Sequence, residues 1–143
     1  MSESTVKPAV LQIECHPYAQ RLVMREKVKP YGIHITCWFP LGGAMSNGVL
    51  FKDPAIVKIA EAHGKTPAQI ILRWHMQEGF SAIPGASNPD YIKENIEIFD
   101  FELTDEEMTQ MRGLNKEQRF FNMSLEEKER AYLGKMQIPT QQK

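Results

Sequence analysis

The sequence has almost no excess charge, few cysteines and no long apolar stretch. Its 17 basic and 18 acidic residues leave a net charge of −1, which removes the electrostatic argument for nucleic acid or anionic lipid as a partner. Its apolar runs fall far short of the ~20 residues that a membrane-spanning helix needs. No basic and then apolar leader precedes the first apolar run at Val10, so we expect a cytoplasmic protein without a membrane segment.

Two cysteines, Cys15 and Cys37, are too few for a disulfide framework. Both lie in runs typical of strands, which favours buried thiols over a zinc site. The stretch QIECHPY, residues 12–18, also places Glu14 and His16 on either side of Cys15. Adjacent strand residues point to opposite sides, so these three side chains cannot converge on one ion. We therefore expect a polar strand end and no metal site.

The order of apolar runs and helix signals indicates one domain over residues 1–143 with an α/β architecture. Strands are predicted over 10–14, 33–39 and 80–84. Helices are predicted over 19–29, 54–63, 67–78, 89–98 and 104–114, with a last one starting at Ser124. Residues 1–6 are expected to be a disordered lead-in and 134–143 a flexible tail. Short apolar strands separated by helices predict parallel pairing.

Three strand-to-helix transitions, at 12–18, 38–43 and 84–95, carry the chemically interesting residues. In parallel α/β folds ligands gather where strands end and helices begin, because loops and helix N-termini converge there. We therefore expect these three segments to lie on one face of the domain.

In this order the segments resemble the aldo-keto reductase family, from about Lys7 to about Arg119. QIECHPY is similar to the family's sixth barrel strand, and GIHITCWFPLGG to its seventh strand and the following loop. HGKTPAQIILRW resembles the helix before the eighth strand, and IPGASNPDYIKENIEIFDFELTDEEM the eighth strand with its cofactor-binding loop and helix. Within the family, the similarity is to the branch of bacterial diketo-gluconate reductases and aldehyde reductases. The resemblance implies the C-terminal portion of a (β/α)8 TIM barrel, with three parallel strands and flanking helices, incomplete as a barrel.

The resemblance also implies an NAD(P)H-dependent oxidoreductase that reduces aldehydes and ketones to alcohols. The family's catalytic Asp, Tyr, Lys and His lie on earlier strands, and nothing in this sequence matches them. We therefore expect no catalytic residue here, an isolated chain without turnover, and either self-association or pairing with a missing N-terminal half. The alternative is a non-catalytic part-barrel that acts in nucleotide binding or assembly.

The cofactor-binding residues follow from the same resemblance. Gln12 would hold the nicotinamide carboxamide, since an amide both donates and accepts hydrogen bonds, and Trp38 would stack on the nicotinamide ring. The other implied contacts are the pyrophosphate loop and the adenosine-binding segment: Phe39, Leu41, Gly42, Gly43, Ser87, Asn88, Tyr91, Glu94 and Asn95. For each position, an ordinary packing or surface role is the competing interpretation.

At Gly85 and Tyr91 the sequence departs from the family pattern. Members that prefer NADPH usually carry cations at these places, which bind the 2′-phosphate of the adenosine ribose. Their absence predicts weak discrimination between NADP and NAD. Ser87, Asn88 and the first amides of the next helix could still bind an oxygen-rich group.

Overall fold

The computed structural model describes residues 5–133, which fold around a three-stranded parallel sheet. The strands are β1 (Val10–Glu14), β2 (His34–Trp38) and β3 (Ser81–Ile83), in the spatial order β1-β2-β3. The predicted strands and their parallel pairing are confirmed. The predicted tail over 134–143 and the first four residues of the predicted lead-in lie outside the described residues.

Helices connect and flank the strands, and most of them begin at a residue whose side chain caps the first turn. They are α1 (Leu22–Val28), α2 (Pro54–His63), α3 (Pro67–Gln77), α4 (Pro89–Ile96), α5 (Asp105–Gly113) and α6 (Leu125–Tyr132). Asp53 caps α2, and reciprocal capping boxes at Thr66, Thr104 and Ser124 start α3, α5 and α6. Each cap satisfies amides that the first helical turn leaves without partners.

The first helix is shorter than predicted, and the expectation of a helix over 19–29 is wrong at its N-terminal end. Ala19 instead pairs with His16 in an isolated antiparallel bridge, and Arg21 takes up a left-handed backbone conformation with φ of 57°. The helix therefore starts only at Leu22. It ends at Val28, where a short 3₁₀ turn containing Pro30 follows.

The main core lies between the helices, with a second cluster behind the sheet. Helices α2, α3 and α5 bury the larger cluster, which includes Ile56, Trp74 and Met111. The central residues of α3 therefore pack into the core. Ile35 and Phe80 belong to the smaller cluster on the helix-covered face of the sheet.

The other face of the sheet is open. Val10 and Ile83 remain 54% and 51% exposed on it, and no further strand pairs with either sheet edge within residues 5–133. Parallel sheets are normally covered on both faces. The structure is thus an unclosed, three-stranded portion of a (β/α)8 barrel, as the sequence predicts. Among the described helices, none is long and apolar enough to cross a bilayer.

Candidate functional site

The carboxyl ends of the three strands meet at one edge of the sheet. Glu14 pairs in register with Trp38, and Trp38 with Ile83. The loops that follow these residues hold the three segments expected to carry chemistry. The prediction that 12–18, 38–43 and 84–95 share one face of the domain agrees with this arrangement.

A cleft of about 490 Å³ opens beside this edge, between the loop after β2 and helix α4. Five of the predicted cofactor residues line it: Leu41, Gly43, Tyr91, Glu94 and Asn95. Small neighbours complete its wall, among them Ala44, Ala68, Gly85 and Ala86. The Tyr91 side chain is 60% exposed, so its ring is accessible from solvent.

The carboxylate of Glu94 is held by Thr66 at the start of α3. The Thr66 hydroxyl donates a short hydrogen bond to Glu94 Oε1, and Gln69 Nε2 donates to the Glu94 carbonyl oxygen at 3.2 Å. These bonds fix α4 against the N-terminus of α3. Glu94 therefore has a structural role, in addition to lining the cleft.

Six predicted cofactor residues lie outside the cleft wall: Gln12, Trp38, Phe39, Gly42, Ser87 and Asn88. Gln12 is exposed on the open face of β1, and its side-chain amide has no hydrogen-bond partner among the described residues. Ser87 is exposed in the loop after β3. Asn88 caps α4, accepting a hydrogen bond from the Asp90 amide at 2.9 Å.

The loop after β2 needs glycine at two places. Gly42 and Gly43 have φ of 79° and 54°, in the left-handed region that side chains disfavour. A Cβ on Gly43 would lie 2.5 Å from the Phe39 ring, and one on Gly42 would lie 2.8 Å from Ser46. Gly43 thus lets the loop pack against the Phe39 ring, and Gly42 lets it pack against Ser46.

Trp38 is surrounded by aromatic rings that stand nearly perpendicular to it. The Phe39 ring lies 4.6 Å away at 78° and the Phe121 ring 5.2 Å away at 73°, measured between ring centroids. Such edge-to-face contacts orient an indole ring in addition to burying it. Phe121 comes from the chain after α5, so two distant parts of the sequence position this tryptophan.

Glu14 is the residue that brings Phe121 to this place, and the sequence did not indicate this role. Its carboxylate is 3% exposed and accepts hydrogen bonds from the Phe120 amide at 2.6 Å, the Phe121 amide at 3.0 Å and Arg119 Nε at 3.0 Å. His16 Nε2 lies 3.3 Å from the same carboxylate, and its ring stacks on Phe120. The partners in residues 119–121 lie more than 100 residues away, so no local pattern could reveal them.

These contacts decide the ionisation of Glu14. Burial alone raises the pKa of a carboxyl group. The hydrogen bonds from His16, the Phe121 amide, Arg119 and the Phe120 amide outweigh burial and lower the pKa of Glu14 from 4.5 to about 2. The side chain is therefore a carboxylate at neutral pH.

Tyr18 makes a second anchor for the same segment. Its carbonyl oxygen accepts hydrogen bonds from the amides of Lys116 and Gln118, both at 3.0 Å, and the Lys116 ammonium lies 3.5 Å from the centre of its ring. Its hydroxyl donates to Asp53 Oδ2 at 2.6 Å. Burial together with Asp53 raises the pKa of Tyr18 to about 12.

Comparison with known proteins identifies the class to which this fold and site belong. The model of the aldo/keto reductase family matches residues 1–116. The chain is 41% identical over 126 residues to aldo-keto reductase family 1 member A1 of Bos taurus, and 44% identical over 124 residues to morphine 6-dehydrogenase of Pseudomonas putida. The chain belongs to the aldo/keto reductase family.

Solved structures lead to the same fold. A crystal structure of a Gox0644 mutant in complex with NADPH superimposes with a TM-score of 0.77 at 36% identity, covering 87% of this chain and 44% of that one. An aldo-keto reductase from a deep-sea metagenome library gives a TM-score of 0.80 at 29% identity, covering 87% of this chain and 47% of that one. The match to the bovine relative covers 84% of this chain and 39% of that protein. The match to the bacterial relative covers 80% of this chain and 42% of that protein. The chain thus spans about two fifths of the length of these curated relatives.

Replacing Glu14 by glutamine tests the anchor. Glu14→Gln removes the charge that Arg119 and two amides stabilise, and we expect the free energy of unfolding at pH 7 to fall by about 1–3 kcal/mol. Because the folded-state pKa is depressed, the contribution of this carboxylate is present above pH ~4.5 and is lost as pH falls toward 2. Urea unfolding at pH 7 and pH 3 should show that acidification lowers the free energy of unfolding less in Glu14→Gln than in the unmodified chain.

The matched control is Glu97→Gln, which removes an ion pair with Lys93 that is exposed at both ends, at 3.6 Å. Exposed pairs contribute less than about 1 kcal/mol, so this variant should unfold almost like the unmodified chain at both pH values. If the free energy of unfolding fell equally between pH 7 and pH 3 in Glu14→Gln and in the unmodified chain, this would contradict the role of Glu14.

Proposed function

We propose that the chain is the cofactor-binding part of an NAD(P)H-dependent reductase that converts aldehydes and ketones to alcohols. The observation that carries this proposal is the cleft at the strand ends, lined by five of the residues that the family resemblance assigns to the cofactor. A bound nicotinamide cofactor would supply the hydride. The chain's own residues bind and orient it.

The cleft fits the adenosine end of such a cofactor. Its volume of about 490 Å³ lies within the range of small-molecule sites. Tyr91 offers an accessible ring for stacking, and Asn95 an amide for hydrogen bonding. Glu94 presents a carboxylate already fixed by Thr66. Gly85 and Ala86 leave room for the ribose.

The open sheet face fits the nicotinamide end. Gln12 pairs with Thr36 in register, and Trp38 lies two residues further along β2 on the same face. The Gln12 amide lacks a partner among the described residues, so it is free to bind a carboxamide. The indole of Trp38 is already oriented by Phe39 and Phe121.

The pyrophosphate would lie between these two ends. The loop at Phe39, Gly42 and Gly43 follows β2, and its glycines permit close approach of backbone amides to phosphate oxygens. Ser87 and Asn88 stand at the start of α4, where free amides favour an oxygen-rich group. The three sets of residues together would accommodate an extended dinucleotide.

We further propose that the isolated chain does not catalyse carbonyl reduction. Carbonyl reduction needs a group that protonates the carbonyl oxygen. Of the titratable side chains at the described strand ends, Glu14 is tied to Arg119, and His16 is fully buried under Phe120. Neither is free to give a proton to a substrate.

Fluorescence titration of the reduced, full chain with NADPH and with NADH tests the binding. Trp38 is half-buried at the proposed nicotinamide site, whereas Trp74 is fully buried in the main core. We expect saturable quenching that disappears in Trp38→Phe, and no oxidation of NAD(P)H with a generic aldehyde. Quenching unchanged in Trp38→Phe would contradict the stacking role, and turnover would contradict the lack of catalytic groups.

The second candidate function, a non-catalytic part-barrel, is favoured by the open sheet face. One experiment separates the two candidate functions. The chain is mixed with the complementary barrel strands of a relative, and reductase activity and cofactor binding are both measured. A restored reductase activity supports the reductase proposal. Cofactor binding without activity in the same mixture supports the alternative.

Introducing a cation at the predicted 2′-phosphate position tests the cofactor preference. We expect the unmodified chain to bind NADPH and NADH with similar affinity, because Gly85 and Tyr91 supply no positive charge. Tyr91→Arg should raise the ratio of NADPH affinity to NADH affinity about tenfold, because only NADPH carries the 2′-phosphate and the loss of the Tyr91 ring affects both cofactors alike. Fluorescence titration of the unmodified chain and of Tyr91→Arg with each cofactor gives the ratio of the two affinities.

Ile96→Arg is the matched control for this experiment. Ile96 is 67% exposed on the same helix but does not line the cleft, so the same charge there should not alter the preference. A preference of the unmodified chain for NADPH of about a thousandfold would contradict the expectation from the missing cations.

We also propose that the chain self-associates or pairs with the missing barrel half. Both sheet edges lack a further strand within residues 5–133, and unpaired strand edges readily pair with another chain. Light scattering after size-exclusion chromatography should show a mass above that of one chain. Ile83→Lys on β3 should lower it, whereas Val23→Lys on α1 should not. A clean monomer at all concentrations would contradict the proposal.

A further inference from the structure

Behind the sheet, on the face opposite to the proposed cofactor site, three soft-metal ligands come together. They are the thiols of Cys15 and Cys37 and the imidazole of His75, and all three residues are buried. Their ligand atoms lie within 4.8 Å of one another. Cys15 follows β1, Cys37 lies in β2 and His75 comes from α3, so the cluster joins two strands to the helix that covers them.

The cluster has the chemistry of a zinc site. Thiolate and imidazole are the ligands that Zn²⁺ prefers, and neighbouring ligands in a tetrahedral site lie roughly 3.4–3.8 Å apart when bound at 2.0–2.3 Å. A small contraction of the cluster would reach this geometry. The Cys15 carbonyl oxygen, 3.1 Å from His75 Nε2, is a fourth candidate donor.

Both ring nitrogens of His75 lie beside carbonyl oxygens. His75 Nδ1 lies 2.7 Å from the Ile71 carbonyl oxygen, and Nε2 lies 3.1 Å from the Cys15 carbonyl oxygen. A neutral imidazole has one N–H, so only one of these contacts can be a hydrogen bond. If Nδ1 donates to Ile71, as in histidines that bind metal, Nε2 keeps a lone pair that can bind a cation.

Both cysteines are free thiols and are fully buried. A metal ion bound between them would replace their two protons.

We propose that Cys15, Cys37 and His75 form a buried binding site for a thiophilic divalent cation such as Zn²⁺. Binding of one Zn²⁺ forms two Zn–S bonds and one Zn–N bond and releases the two thiol protons. Two thiolates and Zn²⁺ sum to zero charge, which suits a site without solvent. The site is separate from the proposed cofactor site and would hold α3 to the sheet.

Native mass spectrometry of the metal-free, reduced full chain tests this proposal. After addition of Zn²⁺, we expect one zinc per chain, with a mass increase equal to zinc less two hydrogens. Cys37→Ser and His75→Gln should each bind Zn²⁺ at least about 100-fold more weakly, since each removes one ligand. His34→Gln is the matched control because His34 is exposed near the opposite end of β2, and this variant should bind as the unmodified chain does.

Titration of the unmodified chain with Co²⁺ keeps the proposal testable if a variant fails to fold. Two thiolate ligands give an intense near-ultraviolet charge-transfer band, which Zn²⁺ should abolish by displacement. No band, or equal Zn²⁺ uptake by a folded Cys15→Ser, Cys37→Ser double variant, would overturn the site. A doubly protonated His75, seen by nitrogen NMR in chain saturated with Zn²⁺, would overturn it as well.

Discussion

A single buried carboxylate determines how the strand ends are arranged. Glu14 stands at the end of β1 with almost no access to water, and a charge there is tolerated only because donors surround it. Those donors come from Arg119, Phe120 and Phe121. Satisfying the charge therefore draws the chain after α5 across the sheet edge. The aromatic contacts of that segment with the β1 and β2 ends follow from this one requirement.

Because side chains alternate along the strands, the proposed cofactor residues and the buried thiols lie on opposite faces of the sheet. Gln12 and Glu14 point to the open face. Gln12 is the proposed nicotinamide contact there, and Glu14 binds the segment after α5. Cys15, one step further, points to the helices and meets Cys37 and His75. A substitution on the open face can thus alter the proposed cofactor contacts without touching the thiols, and a substitution behind the sheet can alter the attachment of α3 without touching the open face.

Local signals were enough to predict the helices and strands, and they were not enough for the contacts between them. Asp53, Thr66 and the other caps mark helix starts because each cap bonds to amides two or three residues away. The late start of α1 was missed because it depends on the backbone conformation of Arg21, which the residue type does not indicate. Strand alternation correctly separated Cys15 from Glu14 and His16. The approach of His75 to Cys15 depends on how α3 lies on the sheet, which no spacing along the chain specifies.

The segment after α5 is attached mainly through its own backbone. Four of its amides, those of Lys116, Gln118, Phe120 and Phe121, donate to Tyr18 or Glu14, and a backbone amide is present whatever the side chain. Substitutions in this segment other than proline would leave these bonds available. The path of this segment therefore does not depend on its outward side chains, and these can change without redesign of the strands beneath.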